Sequence, residues 1–196
     1  MPTFQIVLFE GFETLDAMWP AEVIGGMDAY AAACFSAGGG IVSSRQAVGV
    51  ATRPLSDCEP GGVLLIPGGF GGVQDALGDD TFVDALRRCA EGAEAVLAVC
   101  TAALLLAATG LLDGRRATTH AQVLERARAL RGPVCWRTDA RWFADGKFYT
   151  SSGVRAGMDM VLGFLAARHG REVAEARAAL VEYDWRRSEG EEGGKP

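Results

Sequence analysis

The apolar positions of this chain fall into short unbroken runs, separated by longer segments in which they recur every three or four residues. Phe4 to Phe9 (FQIVLF), Val63 to Ile66 (VLLI) and Ala95 to Val99 (AVLAV) are runs of strand length, and the last two contain no polar residue, the pattern of strands buried on both faces. Asp79 to Gly92 places Phe82, Val83, Leu86 and Cys89 at helical spacing, and Val154 to Arg168 does the same with Met158, Val161, Leu162 and Leu165. Further helices are predicted from about Leu15 to Met27, Ala102 to Leu112, Ala121 to Leu130 and Glu172 to Tyr183. Ala29 to Ser36 reads as a weaker strand and Gly38 to Gly40 as a turn. Ile41 to Ser44 and Ala47 to Thr52 read as an edge hairpin. Arg116 to Thr119, Val134 to Trp136 and Lys147 to Thr150 are short strands, with Asp145 and Gly146 turning the chain before the last.

Strands alternating with helices predict a parallel, doubly wound α/β sheet of flavodoxin-like type over residues 1–187. Residues 188–196 (SEGEEGGKP) read as a polar tail too poor in apolar groups to order itself.

The most informative stretch is Ala95 to His120, whose period changes halfway along. Cys100 stands where the strand pattern stops and the helix pattern begins. A sharp strand-to-helix turn there lifts the side chain out of the sheet and points it at a helix N-terminus, whose partial positive charge favours a thiolate. This is a nucleophile elbow with sulfur in place of oxygen. Two plainer readings fit the same residues: an inert core thiol, and a membrane span, since Ala95 to Leu112 carries no charge. Gly110 and the strand-like first half argue against one continuous helix.

The end of a buried strand is where open α/β sheets bind ligands, and three other stretches arrive there. Pro20 is best tolerated in a first helical turn, which predicts a helix start near Trp19 and puts Asp16 in the loop after the first strand. The alternative for Asp16 is a helix cap or a solvated carboxylate. Pro67, Gly68 and Gly69 end the VLLI strand abruptly, so that backbone N–H groups can face a cleft. Ser151, Ser152 and Gly153 end another.

Composition narrows the function. The 196 residues carry 19 Lys plus Arg against 25 Asp plus Glu, a formal charge of −6, which argues against nucleic acid as a partner. Cys34, Cys58, Cys89, Cys100 and Cys135 are widely spaced, with no CxxC pair and two histidines in the chain, so neither a disulfide framework nor a metal site is expected. Met1 leads almost directly into an apolar strand without a basic secretory leader, which predicts a cytoplasmic protein and no membrane anchor.

Four motifs, TLDAMWPAEV around Asp16, LLIPGGFGG from Leu64, AVCTAALLLAATGLLDGRRATTH around Cys100 and TSSGVRAGMDM from Thr150, give the chain a resemblance to the ThiJ/PfpI superfamily. The resemblance runs from Phe4 to about Tyr183. It implies the class I glutamine amidotransferase-like fold and is nearest to the isonitrile hydratase branch, although ligand domains of AraC-type regulators share much of the pattern. Protease-like members carry His directly after the nucleophile, where this chain has Thr101. Deglycase-like members use a Glu whose place is taken here by Asp16. The implied chemistry is hydration of an isonitrile, with Cys100 as nucleophile and Asp16 as general acid and base, and with backbone N–H groups of Gly69 and Thr101 steadying the charge. Gly68, Gly153, Val154 and His120 complete the expected substrate-binding set. His120 has a plainer reading as a strand-end cap. No cofactor or metal is implied, and a homodimer paired across Met18 and Trp19 is expected. A stand-alone ligand sensor and a glyoxalase- or deglycase-like enzyme remain open as alternatives.

Overall fold

In a computed structural model, which describes residues 1–130 and 132–186, the chain forms an eight-stranded sheet with helices on both faces. The predicted tail at 188–196 lies outside the described residues. In chain order the strands are β1 (Thr3–Val7), β2 (Ala31–Ser36), β3 (Gly38–Ser43), β4 (Gly49–Pro54), β5 (Val63–Ile66), β6 (Ala95–Ala98), β7 (Arg116–Ala117), β8 (Cys135–Trp136), β9 (Trp142–Asp145) and β10 (Phe148–Ser151). The helices are α1 (Thr14–Gly25), α2 (Phe70–Leu77), α3 (Asp80–Gly92), α4 (Ala102–Ala108), α5 (Leu124–Ala129), α6 (Val154–His169) and α7 (Arg171–Leu180).

The sheet order is β3-β4-β2-β1-β5-β6-β10-β9, and β7 pairs with β8 as a separate ribbon. Every pairing from β4 to β10 is parallel, and antiparallel strands close the two edges. This is the predicted flavodoxin-like architecture. Helices α1, α6 and α7 pack together, as do α2, α3 and α4, so two layers sandwich the sheet. All four residues of β5 and of β6 are buried, which is why their sequences carry no alternation. The uncharged run from Ala95 to Leu112 divides into β6, a turn and α4. Among the described residues no helix is long and apolar enough to cross a membrane.

Several elements differ from expectation. Helix α1 begins at Thr14, not near Trp19, and carries Pro20 in its interior. The missing proline N–H falls opposite the Asp16 carbonyl, one turn back, so the ladder loses one bond in the first turns and continues. The Gly38 to Gly40 turn is instead the start of edge strand β3. Helix α2 follows Gly69 directly and was hidden by its glycines, Gly71 and Gly72, both poor helix formers, of which Gly72 here permits close packing. A Cβ on Gly72 would stand 2.2 Å from the Glu10 carbonyl oxygen.

At the edge of β10, the carboxylate of Asp159 on α6 is buried, pairs with Arg141, and accepts from Tyr183 Oη (3.1 Å) and the Arg186 N–H (3.1 Å). That cluster ties α6 to the chain entering β9 and to the segment after α7, fixing the helix that starts at Val154.

Candidate active site

The strand-to-helix turn at Cys100 is as sharp as the change of period implies. The Val99 N–H still pairs with the Ile66 carbonyl at the end of β5 (3.0 Å), and the Ala102 N–H already turns back to the Val99 carbonyl (3.0 Å). Between them Cys100 takes φ = 59°, the left-handed region that a residue with a Cβ rarely adopts. The Thr119 hydroxyl, delivered from beyond β7, donates to the Cys100 carbonyl (3.0 Å) and helps hold the turn.

Asp16 occupies the first turn of α1, rather than the preceding loop, and is buried. Its Oδ2 accepts the Gly68 N–H (3.0 Å), while Oδ1 is buried with no hydrogen-bond partner. Gly68 shows how tightly the pieces meet. A Cβ there would stand 2.7 Å from Asp16 Oδ2, 2.9 Å from Cys100 Cβ and 2.9 Å from Thr101 Oγ1. Only a hydrogen fits where the ends of β5 and β6 and the first turn of α1 converge.

The Gly69 N–H, expected as a donor facing the cleft, is taken up by Thr101 Oγ1 (2.9 Å). The Thr101 hydroxyl and N–H in turn favour the charged form of the Cys100 thiol. Gly69 therefore acts on the sulfur through Thr101, a relay that the motif alone did not show. With Gly68 bonded to Asp16, the Thr101 N–H is the backbone donor of this group directed at the nucleophile.

Electrostatics reverse one expectation. Burial pushes the Cys100 thiol up to about 12; the charges of Asp16 and Glu13 add to this, and the two Thr101 hydrogen bonds oppose it. Loss of water around the sulfur is the largest of these effects. Burial also pushes the Asp16 carboxyl up to about 7, against the stabilising Gly68 N–H and with Glu13 adding to the rise. At neutral pH the pair thus consists of a thiol and a carboxyl that is ready to gain or lose a proton. A carboxylate with one free oxygen beside a thiol can take the thiol proton as the sulfur reacts.

The remaining predicted residues surround this centre unequally. Gly153 and Val154 stand where β10 gives way to α6, and a Cβ on Gly153 would be 3.5 Å from His120 Cδ2. The His120 ring lies edge-on to Phe70 (centroids 5.1 Å apart), and its Nδ1 accepts the Gln122 N–H (3.3 Å), which caps the following turn. Phe70 is the first residue of α2 and is exposed. Ser151, at the end of β10, has a buried hydroxyl oxygen without a partner, a feature its sequence context did not reveal. Beside the elbow, a cavity of about 300 Å³ is lined by Thr118, Thr119, Arg141 and Ser152 among others. Among the described residues no three His, Cys, Asp or Glu side chains gather as a metal site.

A doubly wound α/β domain with a cysteine elbow and an acid on the first helix defines a recognisable class, and comparison with known proteins agrees. The DJ-1/PfpI family profile matches residues 3–167, and the chain belongs to that family. The chain is 35% identical over 133 residues to an isonitrile hydratase of Pseudomonas putida, covering 67% of this chain and 56% of that protein. It is 32% identical over 142 residues to the HTH-type transcriptional regulator GbdR of Pseudomonas aeruginosa, covering 72% of this chain and 36% of the regulator. A crystal structure of a ThiJ/PfpI family protein from Pseudomonas syringae superposes with a TM-score of 0.85 at 25% identity, over 95% of this chain and 77% of that one. The chain therefore spans roughly half or less of the length of these two sequence relatives.

Proposed function

We propose that this domain catalyses cysteine-dependent hydration of an isonitrile to an N-substituted formamide, a lyase reaction. The observation that carries the reading is the buried Asp16, raised to about 7 with one oxygen free, beside a strained elbow cysteine that is itself protonated. Similarity to the hydratase of Pseudomonas putida supports the choice of substrate.

In this mechanism the Asp16 carboxylate takes the Cys100 proton while the sulfur attacks the terminal isonitrile carbon and a C–S bond forms. Asp16 then gives that proton to the same carbon, leaving a thioimidate. A water attacks the thioimidate carbon as Asp16 takes one of its protons, and that proton passes to nitrogen. The C–S bond breaks, and the remaining proton of the attacking water returns through Asp16 to the departing sulfur. One isonitrile and one water become one formamide, with enzyme regenerated. A group with a pKa close to the working pH suits both halves of such a cycle. The Thr101 N–H and hydroxyl steady the sulfur when it carries charge. Gly69 supports Thr101, Gly68 holds Asp16, and Gly153, Val154 and His120 line the approach for the substituent on nitrogen.

The test is direct. Alkyl and aryl isonitriles incubated with the protein should yield the matching formamides, and Cys100→Ala should yield none while keeping its circular dichroism spectrum. No formamide from any of several isonitriles would reject the reading. The regulator relative supports a second reading, a small-molecule sensor. A sensor would show a raised melting temperature with ligand and no product. Cys100-dependent loss of methylglyoxal would instead favour the glyoxalase-like class.

We also propose a homodimer in the cytoplasm. The five cysteines are all free thiols, which suits a reducing compartment. Leu15, on the same helix as Asp16, is 51% exposed and offers an apolar contact to a twofold partner. Trp19 is already covered edge-on by Tyr183 of its own chain (5.4 Å), so the contact would centre on Leu15 and Met18 rather than on the indole. A monomer in sedimentation at micromolar concentration would reject pairing.

A further inference from the structure

A second pair of sulfur groups lies at the opposite end of the sheet from Cys100, where β5 begins. Cys58 follows the short 3-10 turn Leu55–Asp57 that joins β4 to β5, and Cys89 lies near the end of α3. Thirty-one positions apart in sequence, they meet because the Gly61 N–H bonds the Gly92 carbonyl (2.8 Å), drawing the end of α3 onto this connection. The two thiols meet in one cavity, and Cys89 Sγ donates to the Leu55 carbonyl (3.7 Å). Both are half-buried, and both line a cavity of about 270 Å³ together with Glu59, Pro60 and Arg88. A water molecule fills about 30 Å³ of liquid, so this space admits a small reagent.

We propose that Cys58 and Cys89 form a redox-active dithiol, separate from the elbow cysteine, which a hydroperoxide converts to an intramolecular disulfide. The two sulfurs are not equivalent. The neighbouring Cys58 thiol and Arg88 lower the Cys89 pKa, whereas the Cys89 thiol and burial raise that of Cys58. Arg88, next in sequence to Cys89, lines the same cavity and favours a thiolate there, which makes Cys89 the attacking sulfur and Cys58 the resolving one. Cys89 attacks one peroxide oxygen, the O–O bond breaks, and Cys89 becomes a sulfenic acid while the other oxygen leaves as an alcohol or water with the thiol proton. The Cys58 sulfur then attacks Cys89, an S–S bond forms, the S–O bond breaks, and water leaves with the Cys58 proton. Two thiols are oxidised, and one hydroperoxide is reduced by two electrons.

This proposal does not depend on the isonitrile reaction. Trypsin releases Cys58 in residues 46–87, since the Arg53–Pro54 bond resists cleavage, and Cys89 in residues 89–115, which also contain Cys100. The full chain carrying Cys100→Ser is therefore treated with one equivalent of hydrogen peroxide, alkylated and digested without reduction. The expected result is that peptides 46–87 and 89–115 are joined, with Cys34 and Cys135 still free. Oxidation of Cys89 should be about tenfold or more faster than that of the exposed Cys135. Cys58→Ser should remove the cross-link and leave Cys89 as a sulfenic acid that dimedone traps, and Cys89→Ser should leave Cys58 unoxidised. If Cys58 and Cys89 both remain alkylatable after excess peroxide, or if Cys58 pairs with Cys34 or Cys135 instead, the proposal is overturned.

Discussion

Two thiol regions of one small protein show what sets the state of a cysteine. Cys100 stands at a strained turn ahead of a helix, the setting expected to yield a thiolate, yet burial and the acid beside it keep it protonated. Cys89 stands in the last turns of an ordinary helix, and a neighbouring thiol and arginine lower its pKa. Solvent access and the identity of the nearest polar groups set the direction of both shifts. The two proposed roles differ accordingly: in the proposed hydration Cys100 loses its proton to Asp16 as the sulfur reacts, whereas in the proposed dithiol Cys89 meets a small oxidant in its own cavity.

The largest expected effect follows from removing the elbow sulfur. Cys100→Ala should lower isonitrile turnover by at least about a thousandfold, because the covalent route is lost. Next comes its partner. Asp16→Asn keeps the shape but cannot carry a proton, so kcat should fall about a hundredfold or more with KM little changed. An Asp16→Asn variant with wild-type kcat would reduce the carboxylate to a helix-turn residue and break the contrast between the two thiols.

Gly68→Ala is the geometric counterpart. Its Cβ would press on Asp16 Oδ2 and on Cys100 Cβ, so the variant should fold, lose most of its turnover and show a displaced Asp16 in a crystal structure. Full activity would mean that the convergence at Gly68 is unimportant. Thr101→Val removes the relay from Gly69, leaves that buried N–H without its acceptor and should cost about 1–3 kcal/mol of stability, measured by denaturant unfolding.

The smallest effect concerns pH. Since the Asp16 pKa is raised by folding, the folded protein keeps a proton that the unfolded chain releases between pH 3.8 and about 7. The stability contributed by this group is complete below pH 3.8 and is lost as pH rises through about 7. Asp16→Asn escapes that loss. It should melt a few degrees above the wild type at pH 8, with the gap closing toward pH 4. An equal gap at both pH values would show that Asp16 titrates normally.

Elements built from continuous runs of residues were legible in the sequence. β5, β6, α3 and α6 stand where their apolar patterns put them, and the change of period at Cys100 marks the elbow. Legibility failed where one residue pointed two ways. Pro20 suggested a helix start, but the helix absorbs it in its interior, and this moved Asp16 from a loop to a buried first turn. Gly71 and Gly72 concealed α2 through their low helix propensity, although at Gly72 close packing against Glu10 requires glycine. β9 lies at the sheet edge with three of its four residues only partly buried, so it lacks the unbroken apolar run that marks β5 and β6. Contacts between distant residues left no signal at all: neither the Thr101–Gly69 hydrogen bond nor the meeting of Cys58 with Cys89 can be read from spacing.

The central claim is that Asp16 changes protonation near neutral pH beside a cysteine that does not. A carbon-13 NMR titration of the side-chain carboxyls, with the Asp16 signal assigned by its loss in Asp16→Asn, measures this without substrate. The account predicts a midpoint near pH 7 for that one carboxyl, together with no thiolate absorbance from Cys100 over the same range. A midpoint near 4 would contradict it.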